Sequence, residues 1–447
     1  MSNNKYPKVN TYSDVLASEL AVPLLFPAER TTDGALRVLS LFSGCGGMDL
    51  GFEGSFICHK NSVPSDAGWI QQKIGENWVL LKETRFKTVF ANDILKEAQQ
   101  TWLRYMRRFG VPDEIYHFGS IVDFVKMHRH GVKVFPDDVD IVTGGFPCQD
   151  FSVAGKRKGF DSSMSHDGAK RVIDTPSEET RGKLYYWMKQ VIDIVRPKMF
   201  IAENVKGLIS LGDVKDVIQQ DFASADGNGY IVLNPRVLDA GNYGVPETRE
   251  RVIFIGIRRD ALIPEALQAL ESEIVLPKYD PYPQPTHHHS LQDNNNHLMK
   301  PVTCRDVFEG LKEPENSLDL AHQSYSKAKY MGKHCQGQNE IKLDGLGPTI
   351  RSEHHGNIEY RRLSKEHGGK YIDEIESGMI ERRLTPRECA LIQTFPPDYP
   401  FVFYHGYSKK YAVSPSGAYK VIGNAVPPLL AYNIAQRLQQ LWPLYFG

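Results

Sequence analysis

One stretch, Gly144-Gly145-Phe146-Pro147-Cys148-Gln149-Asp150-Phe151-Ser152, sets a single thiol beside a proline just after the apolar run "DIVT". Pro147 fixes the local φ, and the two glycines clear space for backbone and substrate. Polar Gln149 and Asp150 distinguish Cys148 from the usual small core cysteine. A thiol placed this way, near a helix N-terminus or a basic side chain, has a depressed pKa and is a ready nucleophile. Glu203-Asn204 in "FIAENVKGL" puts a carboxylate at the end of another apolar run. Buried, it needs a partner or a raised pKa, and a raised pKa makes a general acid; a salt-bridged structural role is the competing reading. Arg249 and Arg251 stand two residues apart in "GVPETRERVIFIG", so in an extended segment both point to one face. Such a pair can clamp a carboxylate, a phosphate or a base carbonyl.

Two further segments suit a ligand. "LFSGCGGMDLGFE" reads as a strand, then Gly44-x-Gly46-Gly47, then a helix, which lets a ligand approach the backbone closely. It is not G-x-G-x-x-G, so an adenosine-containing cofactor is favoured over a dinucleotide; a structural glycine turn is the alternative. Asn92-Asp93 closes a second apolar run, where an acidic residue accepts from ribose hydroxyls or caps a surface helix.

The elements that must position these groups follow from periodicity. "LRVLSL", "KTVFANDI", "DDVDIVTGGFP", "KMFIAENV", "YIVLNPRVLDA" and "RVIFIGIR" are strand candidates, and "LYYWMKQVIDIVRP" has helical spacing stopped by Pro197. Apolar strands alternating with helices predict an α/β doubly wound sheet with ligands at the C-terminal strand ends. Four segments are expected: an N-terminal arm (1–34), a catalytic and cofactor-binding domain (35–259), a smaller loop-rich domain (260–410), and a stretch (411–447) whose long amphipathic helix returns to the first domain. Insertions at about Cys58–Arg85 and Ser162–Thr180 lengthen the first domain.

The 447 residues are 41% hydrophobic and 24% charged, an ordinary globular composition. No apolar run approaches a membrane span and the N-terminus is not a secretory signal. Six scattered cysteines without a C-x-x-C pair read as free thiols in a reducing compartment, hence a cytoplasmic protein with no metal. Contiguous His287-His288-His289 cannot all face one ion and read as a solvated loop. The net charge of −1 is neutral evidence on nucleic acid, because a local basic face holds a polyanion. The clusters Lys156-Arg157-Lys158, Arg258-Arg259, Arg361-Arg362 and Arg382-Arg383 each read as solvated surface runs.

Taken in order, "LFSGCGG", "GGFPCQDFSVAGKRKGF", "RGKLYYW...FIAENVKGL", "NYGVPETRERVIFIG", "RRLTPRECALIQTFP" and "YKVIGNAVPP" resemble the ordered blocks of the C5-cytosine DNA methyltransferase family, from Leu39 to Ala435. The resemblance implies a Rossmann-like S-adenosylmethionine-dependent sheet and a covalent mechanism. Cys148 would match the nucleophile that adds to C6 of a flipped cytosine. Glu203 would match the residue that contacts N3 and the exocyclic amine. Arg251 would match the arginine on the flipped base, with Arg249 its neighbour and Gly145 and Pro147 shaping the pocket. Cofactor contacts are implied at Phe42, Gly44, Gly46, Asp93, Ile94, Ser120, Pro147 and Asn424. Ser120 stands where relatives often have an acidic residue for the adenine amine, and Ile94 where many have a larger side chain. DNA contacts are implied at Gln149, Ser152 and Lys156. They are also expected in "GPTIRSEHHGNIEYRRLS", where Arg351, His354, His355 and Asn357 can address base edges. The 260–410 segment would then be the target-recognition domain. The implied protein is a monomeric bacterial or phage modification enzyme acting on double-stranded DNA beside a partner restriction endonuclease. Three competing readings are an RNA cytosine methyltransferase, a catalytically silent DNA-binding relative and a nicotinamide-dependent oxidoreductase. The long recognition region, the presence of both Cys148 and Glu203, and the missing dinucleotide fingerprint weigh against them in turn.

Overall fold

The structure is a computed structural model that describes residues 20, 34–147, 184–292, 297–352 and 357–447. The N-terminal arm apart from Leu20 and Gly34, the insertion at Ser162–Thr180, and Cys148, Gln149, Ser152, Lys156, His354 and His355 lie outside the described residues.

An eight-stranded sheet forms the centre. Its strands are β1 (Leu36–Leu41), β5 (Phe86–Asp93), β6 (Tyr116–Phe118), β7 (Ile141–Gly145), β8 (Met199–Val205), β9 (Tyr230–Val232), β10 (Arg236–Asp239) and β11 (Glu250–Arg258). The order is β10-β11-β8-β7-β1-β5-β6, with β9 also on β11. The pairs β1·β5, β1·β7, β5·β6 and β7·β8 are parallel, whereas β9, β10 and β11 join antiparallel. The near-continuous apolar runs noted above are what a sheet covered on both faces requires. One face is packed by helices α1 (Gly47–Glu53), α2 (Lys96–Met106) and, from the far end of the chain, α8 (Pro428–Phe446). The other face carries α3 (Ile121–Arg129), α4 (Leu184–Val195) and α5 (Val214–Ala223). Strand order reverses between β1 and β7: from β1 the chain builds outward through β5 and β6, then returns to build β7 and β8 on the other side. Crevices outside the carboxyl ends of the strands at such a switch point hold ligands in doubly wound folds.

The insertion after α1 is a small antiparallel sheet, β2 (Ile57–His59), β3 (Ile70–Ile74) and β4 (Trp78–Leu81), in the order β2-β4-β3. Its apolar face joins Leu20, Val302, Val307 and Leu391 in a satellite core. Residues 260–410 contain short elements: β12 (Tyr360–Arg362) paired with β13 (Arg382–Arg383), helix α6 (Pro386–Ile392), and β14 (Phe403–Tyr404), whose partner β15 (Tyr411–Val413) lies just beyond the region. Helix α7 (Pro415–Asn424) then leads into α8.

Two surface readings are corrected. The arginines of 361–362 and 382–383 are not a solvated run: Arg362, Arg382 and Arg383 are buried. Arg362 pairs with Glu313 and Glu374 at 3.0 and 2.5 Å, and Arg382 with Glu313 and Glu388 at 3.0 and 2.9 Å. Likewise His287 and His288 are buried. The His287 ring bonds Asn61 O and Thr286 Oγ1, both at 2.8 Å, and burial lowers its pKa. Only His289 retains substantial exposure, beside Asp239. The five described cysteines are free thiols. Among the described residues no helix is long and apolar enough to cross a membrane, and no cluster of three or more potential metal ligands occurs.

Candidate functional site

Four strand ends converge at the switch point. The loop after β1 turns through Phe42 (φ 53°) and Gly44 (φ 55°) into Gly46, the N-cap of α1 (φ 85°). Gly44 is the open one, since a Cβ built there meets no atom within 4 Å. Gly46, Gly47 and Gly51 are the closed ones. Side chains there would strike Trp102, the Val426 carbonyl and Ala431 respectively, so α1 lies directly on α2 and α8. Beneath the loop, the buried carboxyl of Asp49 accepts from Ser40 Oγ at 2.5 Å and Trp102 Nε1 at 2.6 Å, and burial pushes its pKa up to about 7.

Asp93, at the end of β5, clamps the loop. Its carboxylate accepts from Gly44 N at 3.0 Å and Leu95 N at 2.8 Å. Burial raises its pKa against these backbone bonds and the charge of Lys420. Next to it, Asn92 donates to His117 O and Gly119 O at 2.9 and 2.8 Å, fixing the β5 and β6 ends to each other. Ile94 and Phe118 expose apolar surface there, 37% and 51%. Phe42 is half-buried. Ser120 is buried and its hydroxyl accepts from Val122 N at 3.3 Å, capping α3. Asn424, the last residue of α7, is exposed.

On the other side of the switch, β7 and β8 run in register with Gly145 opposite Glu203. A Cβ at Gly145 would stand 2.8 Å from Glu203 Oε2, so glycine is required for the carboxyl to occupy this position. Glu203 is buried and its Oε1 lies 2.8 Å from Arg251 Nε. Burial raises its pKa, and the neighbouring Arg251 and Arg249 charges oppose that rise. Asn204 faces the other way: its Nδ2 donates to Phe146 O at 3.1 Å. The exit of β7 is thereby tied to β8 immediately before half-buried Pro147, the last described residue ahead of Cys148.

Arg249 does not share the position of Arg251. It is fully buried, and its guanidinium donates to Ile350 O (3.0 Å), Gly423 O (2.9 Å) and Ala425 O (2.7 Å), with Glu247 Oε1 at 3.4 Å. Glu247 also accepts from Ile350 N at 2.7 Å. Gly423 leaves no space for a side chain against the Arg351 backbone. The Arg249–Glu247 pair therefore joins the β11 entry to the stretch carrying Arg351 and to the carbonyls flanking Asn424. Arg351 pairs with Glu359 at 3.3 Å. Asn357 is half-buried. Sequence reasoning did not single out Asn204's bond, Glu247, Asp49 or Trp102, whose roles depend on contacts between distant segments.

The arrangement offers a backbone-lined cradle beside a carboxylate, and next to it a buried glutamate–arginine pair at the exit of β7. The sequence profile of the C-5 cytosine-specific DNA methylase family matches residues 36–440. The chain is 31% identical over 437 residues to the type II methyltransferase M.BsuRI of Bacillus subtilis, covering 95% of this chain and 83% of that one. It is 32% identical over 417 residues to the type II methyltransferase M.BspRI of Lysinibacillus sphaericus, covering 90% and 81%. The fold is similar to that of the Entamoeba histolytica methyltransferase EhMeth, with a TM-score of 0.50 and 13% identity over 92% of this chain and 99% of the other.

Proposed function

Because the chain belongs to the C-5 cytosine-specific DNA methylase family, we propose that it methylates C5 of a cytosine within a short duplex motif through a covalent Cys148 adduct. The observation that carries this reading is the register of Gly145 beside Glu203, which sets a buried carboxyl at the exit of β7, three residues ahead of Cys148 in the chain. Cytosine C6 is shielded in a stacked duplex, so the base is flipped into the pocket. The Cys148 thiolate adds to C6, and the ring electrons move toward C5 as Glu203, paired with Arg251, supports the proton at N3. C5 becomes nucleophilic. After alkylation, loss of the C5 proton re-forms the double bond and expels the thiolate.

S-adenosylmethionine supplies the electrophilic methyl group. The residues fit it: Gly44 leaves its Cβ direction open, Ile94 and Phe118 offer apolar surface at the strand ends, and Asp93 presents a carboxylate at the mouth of the glycine loop. Asp93 would take the ribose, Phe42, Gly44, Gly46 and Pro147 would line the methionine and adenosine, and Asn424 would stand at the methionine end. Arg249 serves as a positioning residue, its donors being held by backbone carbonyls. Residues 35–259 and 411–447 form the catalytic unit and 260–410 the target-recognition domain, with Arg351, His354, His355 and Asn357 addressing bases and Gln149, Ser152 and Lys156 the DNA near the flipped base. By analogy with relatives named type II methyltransferases, the reading extends to a modification enzyme that protects DNA beside a cognate endonuclease, and we take it as cytoplasmic and monomeric.

The test is incubation with tritiated S-adenosylmethionine and unmethylated genomic DNA, with Cys148→Ser in parallel and bisulfite mapping of the product. Label at C5 of cytosines in one motif, absent from the variant, is expected. Folded, cofactor-binding protein that labels no DNA would overturn the assignment and direct attention to tRNA.

A further inference from the structure

In the 304–392 region the charges are segregated. Four of its arginines are turned inward and neutralised, Arg361 on Glu374, Arg362 on Glu313 and Glu374, Arg382 on Glu313 and Glu388, Arg387 on Asp319, whereas Arg305 pairs with Asp344 at the surface. Its lysines are turned outward. Lys327, Lys329, Lys333, Lys365 and Lys370 are all exposed, and among the described residues none of the five has a carboxylate at ion-pair distance. No Asp or Glu occurs between Asp319 and Glu340.

The two lysine-bearing loops, 325–334 and 364–370, converge. Tyr330 stacks on His367 with centroids 4.1 Å apart, and a Cβ on Gly368 would stand 3.2 Å from Lys333 Nζ. The Lys327 ammonium sits over the Tyr325 ring at 3.5 Å. An exposed loop of this composition has no apolar reason to keep one shape. It is held instead by Arg383, a buried cation that has no carboxylate at ion-pair distance among the described residues and is stacked 4.1 Å over Tyr360. Its guanidinium donates to Ala328 O at 3.2 Å, Lys329 O at 3.4 Å, Gly337 O, and Ile358 O, the residue after Asn357. One guanidinium thus fixes the lysine loop and one end of the recognition segment in a single frame.

We infer that loops 325–334 and 364–370 form a ledge for the phosphate backbone of duplex DNA flanking the methylated site, set in register with the recognition segment by Arg383. The inference rests on the reading of the chain as a DNA methyltransferase. Phosphate contacts position a protein without carrying sequence information, which suits lysine as a flexible point charge.

The experiment measures equilibrium binding of the full chain to an unmethylated duplex across a salt series, for wild type and the Lys327→Ala/Lys329→Ala/Lys333→Ala variant. Each phosphate contact contributes about −0.9 to the slope of log affinity against log salt. Loss of three contacts shallows the slope by about 2.7, so from 50 to 200 mM salt the wild type loses roughly 40-fold more affinity than the variant. The corresponding Lys→Arg triple keeps the wild-type slope, and bisulfite mapping finds the same motif in each. Arg383→Lys, checked for folding by its melting transition, reproduces the shallow slope with all five lysines present. A slope that changes by less than about one unit in the alanine triple overturns the ledge, leaving a solvated face. Wild-type protein that binds duplex without labelling it overturns the functional reading but not the ledge; absence of duplex binding overturns both.

Discussion

Arg249→Met, which removes a cation with no exposure to solvent, is expected to cost far more than a surface substitution. The arginine is 0% exposed, its partner Glu247 is 0% exposed, and the guanidinium also serves three backbone carbonyls. Breaking a buried pair by removing one partner costs about 3–5 kcal/mol, because the other charge is left uncompensated. The three carbonyls that lose a charged donor place Arg249→Met at the upper end, about 5 kcal/mol, which is a third or more of the stability of an ordinary domain. Removing both charges is cheaper per group: Arg249→Met/Glu247→Gln should recover about 1–3 kcal/mol relative to the sum of the single losses. pH adds a signature. Burial already raises the Glu247 pKa against the Arg249 charge, and its Oε2 has no hydrogen-bond partner among the described residues. A folded pKa above the unfolded value means the folded state binds more protons, so this group's contribution is fully present below about pH 4 and falls as pH rises through the interval. Without Arg249 the interval extends upward, and the deficit of the single variant grows from pH 5 to pH 8. Urea unfolding followed by tryptophan fluorescence at both pH values measures all of this. A single variant within about 1 kcal/mol of wild type, or a strictly additive double variant, would refute the reasoning.

Three further outcomes are expected. Asn204→Ala frees the Phe146 carbonyl; a stability loss of about 1–3 kcal/mol should accompany a fall in single-turnover methyl transfer with cofactor affinity retained, and equal loss of both would show simple unfolding. Ser120→Ala removes the α3 cap at about 1 kcal/mol, whereas Ser120→Asp keeps the cap and should tighten S-adenosylmethionine binding in calorimetry; no tightening would disprove the assignment of Ser120 to the adenine edge. In acid, burial would raise Glu313 and Glu388, but their arginine partners outweigh it and hold both down to about 2. Their stabilisation is therefore present above the unfolded pKa of about 4.3 and lost between roughly pH 5 and 2. Glu313→Gln should flatten that limb of the acid-unfolding curve, and an unchanged curve would count against the network.

The central sheet was legible because strands buried on both faces leave uninterrupted apolar runs. "DIVTGG" and "FIAENV" are nearly the strands they form, and Pro197 ends α4 two residues after Val195. The three-residue β6 was not, since "YHF" is shorter than any period that could announce it. Glu203 was legible from its place at a strand end; that Arg249 and Arg251 part company was not. Their two-residue spacing predicts one shared face, but Arg249 precedes the first residue of β11 and turns toward carbonyls from residues 350, 423 and 425. The same limit misplaced Arg362 and Arg382. A run of like charge reads as solvated when the partner that neutralises it, Glu313, lies 49 and 69 residues away in the chain.

The bed beneath the glycine loop has a consequence for how the protein is made. Gly47 and Gly51 rest against Val426, Pro428 and Ala431, Cys45 Sγ contacts the carbonyl of Val421 at 3.3 Å, and the Cys45 carbonyl accepts from Tyr399. Segments near residue 45 thus depend on segments nearly 400 residues later, and pairings of that separation are slow to close. During translation the nascent chain emerges with its loop and thiol long before the floor that shapes them. The glycine loop therefore gains the floor that shapes it only once α8 docks onto α1.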